Sequence, residues 1–426
     1  MEKIKQNPWC FFSPFLVLYI LLVCLLHKDA MEGDEGRYIM FAQNLLNGFY
    51  SPKEELNLWN GPGYPILLMP FVALKLPLIS ITLFNALLHY TSIVLLYKTI
   101  RIYTQHGIAL FFSLIWGFYY TSYQEMPEIL TETFTLFLIT LIAFSLCKTF
   151  DTGKKQYTIT AGLSIGYLVL TKVIFSYVLI IAFLLFLVVY IFKTVFKSKR
   201  FEKLNQLLLI LLIAFLPVLP YLAYTQSLTN RFLYFSNSSG MTLYWMSTPF
   251  EYEYGDWKDP SLKIACQHCL PCQAELLEKN HRSDFDYIYQ FKGLERDDAF
   301  KQIAFQNIKN HPTKYLRNCF ANQSRLWFSF PMAYYAERDI TLIRFLPNTG
   351  ILTLFLLTLF LWLYNFKSVP TEISFLMGFI LLYLGLSTLV TAYMRQLCPI
   401  VPIILLTSAI FFNKTIKFQL KFRLSN

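Results

Sequence analysis

Charge is scarce in this sequence. Asp, Glu, Lys and Arg make up 15% of its 426 residues, against about a quarter in soluble domains. That excludes an ordinary water-soluble surface. Several signatures are missing altogether: a Walker loop, a Gly-x-Ser-x-Gly elbow, a His-Glu-x-x-His helix and a dinucleotide fingerprint. Their absence removes ATP-driven pumping within the chain and most hydrolase families. No internal repeat is visible, so the symmetric halves of many secondary transporters are not expected. What remains is apolar, with 55% hydrophobic residues and a mean hydropathy of +0.45. The net charge of +11 does not mark a nucleic-acid binder. The basic residues form no single patch but sit at the ends of apolar runs, where membrane topology places them.

Lys and Arg mark the cytoplasmic ends of spans. The clusters are Lys3/Lys5, Lys98/Arg101, Lys148/Lys154/Lys155, Lys193/Lys197/Lys199/Arg200/Lys203 and Lys414/Lys417/Lys421/Arg423. With all of them inside, the chain reads as an all-α polytopic membrane protein of ten to eleven transmembrane helices. Spans are expected near 10–27, 79–100, 107–123, 128–147, 157–171, 173–192, 206–225, 346–366, 372–392 and 396–413. Each approaches the roughly 20 residues a bilayer requires. His27-Lys28-Asp29-Ala30 makes a poor cleavage site, so the first span is expected to stay as a signal anchor. Residues 1–225 form one transmembrane module with an acidic outer loop, 28–78. Residues 226–345 are long enough for an extracytoplasmic domain, with helical patterns at Asp297–His311 and Thr313–Phe328. Residues 346–426 supply the last helices and a basic tail. Within the outer loop, Tyr38 to Leu46 has helical apolar spacing and Asn47-Gly48 stops it, which predicts a surface helix. Residues 62–77 are apolar, short and rich in proline. They read as a re-entrant or interfacial helix, with a true crossing as the alternative.

Four constellations could carry chemistry. Asp34-Glu35 could supply a general base, or be a solvated acidic turn. Glu128 and Glu132 share a helix face. They could cap a helix dipole, but Glu132 falls inside a span, where an ionisable group is a functional candidate. Lys172 and Arg395 lie at span ends opposite the basic side. They suit a phosphate or simply snorkel. Cys266, Cys269 and Cys272, with His268 and distant Cys319, could bind zinc. In an oxidising compartment disulfides are the better reading, with no pairing assignable. Asn237 and Asn322 head glycosylation sequons, which arise often by chance.

The order of these motifs resembles that of the GT-C membrane glycosyltransferases, in particular the group containing protein O-mannosyltransferases and the lipid A aminoarabinose transferase. The resemblance rests on Asp34-Glu35-Gly36-Arg37-Tyr38 with the helix to Asn47-Gly48, on Pro62-Gly63-Tyr64-Pro65, on Leu130-Thr131-Glu132-Thr133-Phe134 and on Gly162 to Lys172. Arg395 to Pro402 adds a C-terminal match. There are departures: Lys172 stands where Arg is common, Gly63 replaces a Pro, and Gln396 replaces a Tyr.

The resemblance implies an inverting transferase with a polyprenyl-phosphate sugar donor. Asp34 would be the base. Glu35 would assist or bind sugar, and Glu132 would position the acceptor or hold a metal. Lys172 and Arg395 would bind the lipid phosphate, with Arg37, Tyr38, Tyr64 and Glu128 completing the substrate-binding set. No cofactor is certain; a divalent cation is left open. Expected partners are the donor, membrane lipids and an acceptor of unknown kind, with no nucleic acid. The site is expected to face outward from a plasma or inner membrane, or into the lumen of an ER membrane in a eukaryote. The rivals are a lipid-linked glycan ligase or polymerase, and a secondary transporter.

Overall fold

Long apolar runs with few charges leave the backbone one way to satisfy its own hydrogen bonds in lipid, the helix. The computed structural model bears this out: the protein is an all-α polytopic membrane protein. It describes residues 7–415 apart from 53, 197–202, 259, 261, 263–270 and 335–338, and no strand occurs among them. In chain order the helices are α1 (Pro8–Leu26), α2 (Asp34–Leu46), α3 (Gly63–Ala73), α4 (Leu78–Tyr103), α5 (His106–Phe118), α6 (Tyr120–Tyr123), α7 (Thr131–Thr152), α8 (Lys155–Thr171), α9 (Ile174–Phe196), α10 (Leu204–Thr229), α11 (Ser239–Met246), α12 (Pro271–Ile288), α13 (Gly293–Asn310), α14 (Pro312–Phe328), α15 (Asp339–Tyr364), α16 (Thr371–Leu389) and α17 (Val401–Thr415).

Among the described residues, eight helices are long and apolar enough to cross a membrane. They coincide with eight of the ten expected spans. The other two are shorter. α5 has 13 residues and α8 has 17, about 20 and 26 Å at 1.5 Å per residue. α5 ends early because Tyr119 turns to an extended conformation, and its hydroxyl donates to Asn348 Oδ1 at 2.5 Å. The proline-rich segment forms α3, whose 11 residues reach only about 16 Å. As a helix it is shorter than the roughly 20 residues a crossing requires.

α8 packs between α7 and α10, and α7 also packs on α4, which packs on α1. Gly166 explains part of that closeness: a Cβ there would run into the Ala214 backbone and the ring of Pro217 on α10. Gly61 and Gly63 do the same job elsewhere. A Cβ at either would strike the Leu170–Thr171 backbone at the end of α8. The Gly-Pro-Gly turn is thus seated directly on the residue before Lys172.

The two predicted outer helices are present as α13 and α14. α11 packs on α13, and together with α12 they enclose a separate core that includes Met241, Tyr244, Trp245, Phe285, Ile288 and Phe300. Both sequon asparagines are buried and employed by the fold. Asn237 accepts from Leu58 N at 2.9 Å and donates to Leu56 O at 3.1 Å. Asn322 donates to Ser387 O at 2.8 Å and Val390 O at 2.7 Å. Cys319 is buried with a free thiol, so the four cysteines do not form two bridges. Cys266, His268 and Cys269, and the side chain of Cys272, lie outside the described residues.

A candidate active site of carboxylates and cations

Four helix ends deliver charge to one place. α2 starts at Asp34, α7 starts at Thr131-Glu132, α8 ends at Lys172, and a short 3-10 turn, Met394–Gln396, carries Arg395 ahead of α17. Residues distant in sequence therefore meet. Lys172 Nζ lies 3.0 Å from Glu132 Oε1, and Arg395 Nε lies 3.7 Å from the same oxygen. Arg395 Nη2 is 3.6 Å from Asp34 Oδ2, and Arg37 pairs with the other Asp34 oxygen. The result is an alternating row: Lys172, Glu132, Arg395, Asp34, Arg37. Three cations face two carboxylates, an excess of one positive charge.

Burial grades along the row. The Glu132 side chain is 8% exposed, whereas Asp34 and Arg395 are 32% and 33% exposed. One end is locked into protein and the other is reachable. Glu132 also gains from its place in the first turn of α7, where the helix dipole favours an anion. Its second oxygen accepts from Thr131 Oγ1 at 3.3 Å.

Glu35 and Glu128 stand apart from this row. Glu35 Oε1 accepts from Ile129 N at 2.8 Å and Oε2 from Glu32 N at 2.7 Å. Both oxygens are committed to backbone amides, and the first fixes the segment leading into Glu132. The Glu128 side chain is exposed, and its carbonyl accepts from Asn85 Nδ2 at 3.0 Å. Tyr38 and Tyr64 form the apolar floor. Their rings meet edge to face at 5.1 Å, and Asn60 Nδ2 donates to Tyr38 OH at 3.1 Å. Burial raises both phenols above their ordinary value, for Tyr38 with Glu132 adding to it. Both rings stay neutral.

Arg37 has a second contact that sequence reading missed: its guanidinium lies over the Trp59 ring, 5.0 Å from the centroid. Also missed is how the Arg395 segment is held. Asn322 and Arg325 on α14 grip the chain just before it. Asn322 Oδ1 accepts from Ala392 N at 2.9 Å, and Arg325 Nε donates to Ala392 O at 3.2 Å. Tyr393 OH donates to Trp257 O at 3.0 Å. The region 226–345 thus sets where Arg395 stands.

Asp34 and Glu132 already face cations, and among the described residues no three His, Cys, Asp or Glu side chains converge to hold a metal.

The fold and this row of charges define a polytopic membrane protein with an ionisable cluster where several helix ends meet. The sequence model of the dolichyl-phosphate-mannose-protein mannosyltransferase family matches residues 61–221, a stretch that includes Glu132 and Lys172 but neither Asp34 nor Arg395. Two crystal structures of ArnT from Cupriavidus metallidurans are similar at low identity. The apo form has a TM-score of 0.42 at 10% identity, covering 94% of this chain and 76% of that one. The form bound to undecaprenyl phosphate has a TM-score of 0.41 at 12% identity, covering 94% and 77%. No curated protein matches by sequence.

Proposed function

We propose that this protein is a GT-C glycosyltransferase that moves a sugar from a polyprenyl-phosphate carrier to an acceptor hydroxyl on the extracytoplasmic face. The observation that carries this reading is Arg395 standing between Asp34 and Glu132, with Lys172 and Arg37 at the ends of the row. The family match over residues 61–221 and the order of the sequence motifs support it.

Each side chain then has a task. The half-exposed Asp34 carboxylate takes the acceptor proton as general base. The freed oxygen attacks the anomeric carbon, and the bond from that carbon to the phosphate oxygen breaks. The electron pair leaves with the phosphate, whose new negative charge meets Arg395 and Lys172. Preformed cations aimed at a developing charge are a large term in such transfers. Attack from the face opposite the leaving phosphate inverts the anomeric centre. Glu132 holds the two cations apart and in place, and Glu35 braces the chain that carries it.

The charges at the helix ends support this sidedness. Tyr103, Lys203, Glu372 and Asn413 meet at the far end of the bundle: Lys203 Nζ is 3.3 Å from Glu372 Oε2, Tyr103 OH donates to Glu372 Oε1 at 2.9 Å, and Asn413 donates to Tyr103 O at 3.3 Å. Lys148, Lys154 and Lys155 flank the α7–α8 turn, also remote from Glu132 and Lys172 along those helices. A cytoplasmic position for the basic end turns the carboxylate row outward.

The test is transfer in proteoliposomes, with a panel of radiolabelled polyprenyl-phosphate sugars and a membrane extract as acceptor. Wild type should transfer one of them, and Asp34→Asn should lose about 10²–10⁴-fold in rate. No transfer from any donor by wild type would overturn the reading; full transfer by the mutant would remove Asp34 from its role.

A further inference from the structure

Beside the charged row lies a cavity of about 350 Å³ between the 52–59 loop and helices α11 and α13. No step of the proposed mechanism uses it. Trp59 joins the two places. Its indole lines the cavity and also lies under the Arg37 guanidinium, which pairs with Asp34. Its carbonyl accepts from Ser236 Oγ at 3.1 Å and Ser238 Oγ at 3.2 Å, which fixes it to the outer domain.

The lining has a definite chemistry. Tyr289 presents a second aromatic ring, with Arg296 over it at 4.8 Å. Arg296 is held by Glu55 at 3.1 Å, so its charge is already answered. Asp297 also lines the wall, buried and answered by Lys301 at 2.5 Å, and Glu54 adds a carboxylate that is exposed. With Glu55 answered by Arg296 and Asp297 by Lys301, Glu54 leaves the wall with one surplus negative charge, which disfavours an acidic ligand such as a phosphate headgroup. Aromatic rings offer flat apolar surface, and carboxylates and amides such as Asn57 accept and donate hydrogen bonds. A ligand with apolar C–H faces and a rim of hydroxyls satisfies both. Pockets of this volume take a small molecule or one or two rings.

We propose that this cavity binds the saccharide portion of the acceptor, neutral or amino-substituted, so that its hydroxyl is presented past Trp59 to Asp34. The proposal rests on the glycosyltransferase reading, and its test separates the two. The full chain in nanodiscs is probed by saturation-transfer NMR with methyl glycosides: a hexoside, an aminohexoside and a uronic acid. A Ser/Thr peptide serves as competitor, and binding of polyprenyl phosphate is measured in parallel.

The expected result is binding in the order aminohexoside, hexoside, uronic acid. Tyr289→Ala and Glu55→Gln should each weaken it about tenfold or more with polyprenyl-phosphate binding unchanged. If Tyr289→Ala also loses polyprenyl phosphate, Glu55→Gln decides. Octyl glycosides distinguish the source: tighter binding than methyl glycosides supports the site with a glycolipid acceptor, and equal binding supports it with a soluble glycan. No glycoside signal, equal signal in both variants, a preferred uronic acid, or binding of the peptide alone would overturn the proposal. Loss of polyprenyl-phosphate binding by wild type, with glycoside binding kept, would sink the transferase reading and leave the saccharide site standing.

Discussion

Glu132 and Glu253 are both buried carboxylates, 6% and 4% exposed, and the protein treats them in opposite ways. Glu253, in the outer domain, is surrounded by short-range donors: Thr248, Asn280 Nδ2 at 3.0 Å, His281 Nε2 at 3.0 Å, and Tyr334. Burial works against its charge, but the His281, Thr248 and Tyr334 bonds hold its carboxyl below the ordinary value. Every partner is internal and the network is closed. Glu132 instead meets two full cations, one of them a third exposed and shared with Asp34. A satisfied buried network specifies structure; one with spare positive charge and a reachable end is open to an anion.

The sharpest way to break this contrast is Lys172→Ala. It should cost about 10²–10³ in transfer rate per folded molecule, the range for removing one donor to a developing anion, beyond the stability lost by leaving buried Glu132 with Arg395 alone. A stability loss with unchanged rate would make Glu132 a second Glu253.

The mirror experiment is Glu253→Gln. It should destabilise the outer domain by about 1–3 kcal/mol, read by hydrogen exchange, and leave the rate per folded molecule intact. The pH dependence has a fixed sign. A carboxyl depressed on folding contributes stability that is present above its ordinary value of 4.5 and lost as pH falls through the lower folded value. Wild type should therefore lose protection in the outer domain on acidification below that point, and the Gln variant should show a flatter profile.

Gly63→Ala tests whether position matters as well as charge. Its Cβ meets the Leu170–Thr171 backbone, so the turn or the end of α8 must shift, at about 1–3 kcal/mol for overpacking. Transfer should fall with it, through Lys172, and a melting curve with a parallel rate assay reads both. The smallest effect on rate is expected for Asn322→Ala. It frees the chain before Arg395 and leaves the Ala392 amide and the buried Arg325 guanidinium without their acceptor, at about 1–3 kcal/mol for each group left unsatisfied. Its signature is a raised KM for the donor with kcat per folded molecule nearly kept.

Much of this was legible in the sequence because charge in an apolar chain is conspicuous. Asp34, Glu132, Lys172 and Arg395 stood out for that reason, and their meeting needed only helix ends on one side. Asn322 and Arg325 were hidden by the opposite circumstance. They sit in an amphipathic helix of ordinary polarity, where a buried arginine looks like a surface one. Glu35 was indistinguishable from its neighbour Asp34 because hydrogen bonds to the Ile129 and Glu32 amides leave no trace in residue type. The span expected at 157–171 is present as α8, but the early end of α5 was missed, because apolar runs report hydropathy and not where a helix stops, which in α5 depends on Tyr119 reaching Asn348 across the fold.

In the proposed reaction, the excess of one positive charge in the Lys172–Arg37 row has a consequence for turnover. A sugar-bearing phosphodiester brings one negative charge and neutralises the row. Transfer leaves a phosphomonoester approaching two negative charges, but the acceptor proton now on Asp34 removes one carboxylate charge, so the row is still neutral. Only when Asp34 hands that proton to water does the site become anionic. The spent lipid phosphate is then opposed by Asp34 and Glu132 together. On that reading product release is clocked to the proton that chemistry generated, and the carrier stays held until the sugar has left it.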